Sequence, residues 1–145
     1  MNVFLDASIF IAASGSAEGG SSVILGLCKR GRFRAVCTKR VLLEAERNIR
    51  RKLGTEALLR FYRDLADLDP ILEAPPTPGE TAACEPIVGE KDAHVLAAAL
   101  KSKADVLLTL DRKHFMARKV QEAGLGIKIV TPGDFLRELI EVAER

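Results

Sequence analysis

"LLTLDRKHF", residues 107–115, decides the fold: an almost wholly apolar run ends on a bare carboxylate, Asp111, and passes at once into basic side chains. Together with the preceding "ADV", the run has the continuous hydrophobic character of a parallel strand covered on both faces. Asp111 then stands at the carboxyl end of that strand. Ligands of open α/β sheets bind outside that edge, so the question is whether other acids arrive there.

Working outward, "NVFL" near the N-terminus reads as a short buried strand ending on Asp6, and the Gly/Ser cluster "SGSAEGGSS" as a loop before a helix through "SVILGLCKRG". "FRAVC" is a second strand. Val41, Leu42, Ala45 and Ile49 recur at helical spacing, and "TEALLRFYRDLADL" supplies another amphipathic helix after Gly54, so the two form a helical hairpin. Residues 70–89 hold five of the six prolines, which predicts turns and extended chain with a short strand in "PILEA". A helix through "KDAHVLAAALKSK", the Asp111 strand, a helix through "HFMARKVQEAG", the strand "IKIV" and a helix through "GDFLRELIEVAER" complete the chain. Strands alternating with helices predict an α/β fold with a mostly parallel sheet.

The 145 residues are enough for one domain with a core that needs no staples, and one domain is the expectation. Twenty-two basic against 20 acidic side chains leave a net charge of only +2, so bulk charge does not argue for a nucleic-acid partner. Its distribution is uneven. Between residues 28 and 53, ten Lys and Arg face only Glu44 and Glu46. Cys28, Cys37 and Cys84 are odd in number and lack CxxC spacing, which argues against a disulfide framework and a zinc site and suits a reducing cytoplasm. "MNVFLD" opens without a basic leader, and no apolar stretch is long enough to span a bilayer, so no membrane role is expected.

In a parallel sheet, Asp6 and Asp111 end their strands on the same edge. Asp92, in the first turn of the helix feeding the Asp111 strand, and Glu44, early in the helix after the second strand, start from that edge too. Carboxylates within about 4–6 Å repel one another and raise each other's pKa, a penalty that a divalent cation removes. An oxygen-only set with no Cys or His cluster beside it suits Mg²⁺ or Mn²⁺, and such ions activate water and clamp the oxygens of a phosphodiester. Each acid also has a structural reading. Asp6 and Ser8 can cap a turn, Asp111 and Asp92 can serve their own helix N-termini, and Glu44 can be a solvated helical side chain, with Glu46 a competitor.

The set "VFLDASIF", "VLLEAERNI", "EKDAHVLAAAL", "LLTLDRKHF" and "IVTPGDFL", in this order over essentially the whole chain, resembles a PIN domain. That resemblance implies a three-layer α/β/α sandwich with a central, mostly parallel sheet and a metal-dependent ribonuclease, the toxins of VapBC toxin–antitoxin pairs among them, so that a toxin or an RNA-processing nuclease is expected. It implies that Asp6, Glu44, Asp92 and Asp111 hold one or two Mg²⁺ or Mn²⁺ ions, with Ser8 and Thr109 orienting them. In-line attack of an activated water on RNA, with 5′-phosphate and 3′-hydroxyl products, follows by the same route. An antitoxin protein and a homodimer become expected partners; the helical hairpin can pack against its own sheet, the first reading for most of its apolar positions, or form a surface for either partner. The chain departs from the pattern at His114, where many PIN domains resemble "TxDxxDF" with a further Asp. His114 is open to three roles: ligand, phosphate contact, or packing at the helix start.

Lys39, Arg40, Arg112 and Lys113 lie near the acidic edge and are candidates to bind the RNA backbone, though each also reads as part of a solvated face. Aromatic content is low at 5%, so stacking platforms are few. Two other functions compete. An aspartyl-phosphate phosphatase would use Asp6 as nucleophile, but the residue two positions on is Ser8 where that motif wants a second Asp. A non-catalytic PIN-like module binding RNA or protein would keep the acidic edge without the chemistry, and His114 is its main support.

Overall fold

The structure, a computed structural model, describes residues 1–145. Five parallel strands form its sheet: β1 (Asn2–Leu5), β2 (Arg34–Cys37), β3 (Ile71–Leu72), β4 (Val106–Leu108) and β5 (Lys128–Val130), in the spatial order β3-β2-β1-β4-β5. Phe4, Leu5, Leu107 and Leu108 are completely buried, as continuous apolar runs in central parallel strands must be. The chain runs outward from β1 to β3 on one side and from β4 to β5 on the other. Its direction reverses between β1 and β4, the crevice where α/β sheets bind ligands.

Register fixes what meets there. Val3 pairs with Val106 and Leu5 with Leu108, and one residue further the Asp6 amide donates to the Leu108 carbonyl at 3.1 Å. Asp6 and Thr109 thus leave their strands side by side.

Helices α1 (Ala7–Gly15), α2 (Gly20–Lys29), α3 (Lys39–Lys52) and α4 (Thr55–Leu68) pack against one another, and α5 (Pro78–Val88) packs along α6 (Ala93–Lys101). Two short helices, α7 (Arg112–Phe115) and α8 (Arg118–Glu122), and the terminal α9 (Pro132–Glu144) complete a three-layer α/β/α sandwich. The expected hairpin is α3 with α4, turned by Gly54 at φ 88°, a left-handed conformation that glycine adopts without strain. Phe61 of α4 meets Phe10 of α1 edge-on, with centroids 6.0 Å apart, and so locks the hairpin to the first helix. Cys28, Cys37 and Cys84 are buried free thiols.

The structure corrects the sequence reading in three places. Residues 70–89 are not mainly turns: Pro78–Val88 is helix α5. Thr77 caps it, with Thr77 Oγ1 accepting from the Glu80 amide at 3.1 Å and Glu80 accepting from the Thr77 amide at 2.8 Å, and Pro78 stands in the first turn, where its missing N–H costs nothing. Pro86 sits inside the helix and forfeits one hydrogen bond, but Cys84 and Val88 are buried on the same element. Helix α1 went unforeseen because "ASIFIAASG" has no charged face to reveal a period; Ala7, Ile9, Phe10, Ala13 and Ser14 are all buried. "HFMARKVQEAG" is two short helices, not one, because Ala117 is extended at φ −67°, ψ 155° and starts α8 afresh.

Candidate active site

Asp6 closes β1 and opens α1. Its Oδ1 accepts from the Ala7 amide at 2.8 Å, and its Oδ2 accepts from Thr109 Oγ1 at 2.7 Å and Ser8 Oγ at 3.3 Å. The two hydroxyls reach onward across the crevice: Thr109 Oγ1 accepts from the Asp111 amide and Ser8 Oγ from the Leu110 amide, both at 3.1 Å. A carboxylate has about four lone-pair sites, so three bonds leave Asp6 with capacity for one more partner. Burial raises its pKa despite those donors, and the Asp111 charge adds to the rise.

Asp111 ends the extended chain after β4 and caps α7. It accepts from the His114 amide at 3.1 Å, and its Oδ2 lies 2.8 Å from His114 Nδ1. Burial pushes its pKa up, but the bonds from His114 more than offset this and hold it below the usual carboxylate value. Asp92 begins α6 without capping it, so its side chain is free to face the crevice. Burial first, then repulsion from Asp111 and Asp6, pushes its pKa to about 6. His114 Nδ1 also lies 3.5 Å from Asp92 Oδ2.

One cavity of about 210 Å³ is lined by Asp6, Ser8, Glu44, Asp92 and Asp111, so four acids from distant parts of the chain open onto one space. Glu44 comes from the second turn of α3. Burial, and then the Asp6 charge, raise its pKa, while Lys91, Arg40 and Arg47 pull it back. Within this set the tight group is Asp92, Asp111 and His114, each offering a ligand atom within 4.8 Å of the others. Asp92, whose charge is disfavoured by burial and by repulsion from its neighbours, beside the Asp111 carboxylate and one imidazole, gives a donor set that fits a divalent cation such as Mg²⁺ or Mn²⁺.

His114 is not packed into the core: its side chain is 46% exposed and turned to the two acids. Lys39 and Arg40 line a neighbouring pocket, not the acid cavity. Arg112 lies 3.8 Å from Asp134, and Lys113 is exposed. Sequence reasoning missed Lys91 and Asn48, which both line the acid cavity. Asn48 stands one turn after Glu44 and donates to its carbonyl at 2.9 Å, a spacing that places both on one face of α3. Lys91 precedes Asp92 directly, and that adjacency was its only signal.

A conserved-family model, the PIN domain, matches residues 2–113. The chain belongs to the PIN-domain family. Among solved structures it is similar to VapBC2 from Rickettsia felis bound to a DNA fragment from their promoter, with 16% identity and a TM-score of 0.62 over 90% of this chain and 98% of that one. At that identity the likeness shows a shared fold. A search of curated proteins gives no match. No helix is long and apolar enough to cross a membrane.

Proposed function

We propose that this chain, acting as one PIN-like domain, is an endoribonuclease that uses Mg²⁺ or Mn²⁺, and that it is the toxin of a toxin–antitoxin pair. The observation that carries this reading is the lining of a single cavity by Asp6, Glu44, Asp92 and Asp111 at the point where the sheet reverses direction. Membership of a family of nucleases supports the phosphodiester chemistry.

Asp92, Asp111 and His114 hold one ion, with Asp6 and Glu44 completing its surroundings or holding a second. When bound, such an ion polarises the phosphate and lowers the pKa of a water to make it the nucleophile. Thr109 and Ser8 fix the Asp6 carboxylate from across the crevice, so its unused lone pair points in one direction. Lys91 and Arg40 lessen the repulsion between the acids and an incoming phosphate. Water attacks phosphorus in line, the bond to the 3′-oxygen breaks, and 5′-phosphate and 3′-hydroxyl ends result. Lys39, Arg40, Arg112 and Lys113 are the backbone contacts in this reading. An antitoxin partner is supported by the assembly in which the similar Rickettsia felis structure is found, and a homodimer and a cytoplasmic location belong to the same proposal.

One observation favours a second reading, a binding module without catalysis: His114 Nδ1, 2.8 Å from Asp111 Oδ2, occupies a place beside the acids that a cation would otherwise take. A phosphatase using Asp6 is disfavoured, because both oxygens of that 8%-exposed residue are engaged by donors. The deciding experiment incubates mixed RNA with purified protein and Mn²⁺ or Mg²⁺, with and without chelator, beside Asp6→Asn and Asp92→Asn. Cutting is expected in the wild type with metal only. Equal cutting in all samples marks a contaminant, and none under any metal supports the binding module. Induced expression of the wild type is expected to arrest growth, and harmless expression of an active enzyme contradicts the toxin role.

A further inference from the structure

Next to the acid cavity, on the same edge of the sheet, lies a second pocket that the reading above does not use. It has a volume of about 120 Å³, several times what a bound water needs. Thr38, Glu73 and His94 line it together with Pro75, Pro76 and Thr81 and with Lys39 and Arg40, which are exposed in the first turn of α3. The walls are tied in place. The Glu73 amide donates to the Cys37 carbonyl at 2.8 Å, extending the β2–β3 pairing, and Lys101 Nζ donates to the Pro75 carbonyl at 3.2 Å.

His94 makes this more than a helix terminus. It is only 6% exposed, and its ring forms no hydrogen bond within the chain. Yet no buried side-chain nitrogen or oxygen lacks a partner, so the ring nitrogens open onto the pocket. Water or a ligand that enters the pocket is therefore what these nitrogens pair with. Lys39, Arg40 and Glu73 are likewise in no ion pair.

These groups distinguish between ligands. A phosphate inside the pocket would meet Lys39 and Arg40 but leave the Glu73 carboxylate unpaired, so a bare anion uses only part of the lining. A nucleobase suits each wall: the prolines give flat apolar faces, Glu73 accepts from an exocyclic amine, and His94 and the Thr81 hydroxyl each donate or accept. The exposed cations are placed for the phosphate that such a base carries. The two cavities share α3 and the start of α6. Arg40 precedes Glu44 by one turn, His94 follows Asp92 by two residues, and the Arg40 charge acts on both Glu44 and His94.

We propose that this pocket is a base-selective nucleotide subsite, seating one base of the RNA strand against Pro75, Pro76, Glu73 and His94 with its phosphate on Lys39 and Arg40. The inference rests on the ribonuclease reading for the identity of the strand, but its test does not depend on cleavage.

The chain has two histidines, so the ring signals of His94 are readily assigned by NMR with a His114→Gln variant as the reference. Metal-free wild type in chelator is titrated separately with AMP, GMP, CMP, UMP and inorganic phosphate. Saturable movement of the His94 signals is expected, with one monophosphate binding about five-fold or more tightly than the weakest and than phosphate. Glu73→Gln and Thr81→Ala are each expected to weaken the preferred one by about five-fold, the loss of roughly one hydrogen bond. Silent His94 signals, or four monophosphates indistinguishable from phosphate, overturn the subsite. If His94 responds while the metal-loaded enzyme cuts no RNA, the subsite stands and the ribonuclease falls. If RNA is cut and His94 stays silent, the reverse holds.

Discussion

Thr109 has no surface exposure, yet its hydroxyl joins the two strand ends that carry the site, donating to Asp6 and accepting from the Asp111 amide. Thr109→Val keeps the shape and removes both bonds, leaving the Asp111 amide without its partner and Asp6 Oδ2 with the longer bond from Ser8 alone. Stability is expected to fall by about 1–3 kcal/mol, measured by urea unfolding, with a matching loss of metal-dependent cutting. Asp92 provides a second prediction at this scale. Its pKa of about 6 in the metal-free protein exceeds the 3.8 of an unperturbed Asp, so between those values the folded chain binds the proton that the unfolded chain has released. Its contribution to stability is therefore full below about pH 4 and is lost as pH rises through about 6. Asp92→Asn is expected to remove that part of the pH dependence. In the wild type, saturating Mg²⁺ should lower the Asp92 midpoint seen by carboxyl NMR, because the cation favours the charged form; an unmoved midpoint contradicts its place at the metal. The acids at the strand ends were legible in the sequence because an apolar run stops at each of them. The orientation of His114 was not legible, since the lone ring can pack, bind or pair, and only the α7 turn brings it to Asp111 and Asp92.

Among the elements, strands and amphipathic helices could be read directly, because burial on both faces or on one leaves a period in the residues. Helix α1 leaves none: it is apolar and small all round, and its start is marked only by an acid that also serves the site. Helix α5 was hidden by its prolines, although "TPGE" carries the capping-box pattern with Pro in the first turn. The capping box is testable by itself. Thr77→Ala is expected to cost about 1 kcal/mol in urea unfolding, and no change would mean that α5 is held by its packing on α6 alone. Lys91 and Asn48 were missed for a related reason: helical phase tells which residues share a face, but not which face borders a crevice between two other elements.

At the scale of the whole molecule, strand order makes the site. Because the chain reverses between β1 and β4, side chains about a hundred residues apart leave the sheet as neighbours, and the core under them sets their spacing. Leu107→Ala, at a fully buried position in β4, is expected to lower stability by about 2–5 kcal/mol and to blunt the site by loosening the strand that carries Thr109 and Asp111. In the proposed function the buried Asp6 and the half-buried Glu44, Asp92 and Asp111 gathered at this crevice are held together by a divalent cation. Titrating Mn²⁺ into metal-free protein by calorimetry tests it most directly. Saturable binding in the wild type, lost in Asp92→Asn and in Asp111→Asn while both variants remain folded, is the predicted result; no binding, or binding that both substitutions leave intact, contradicts it.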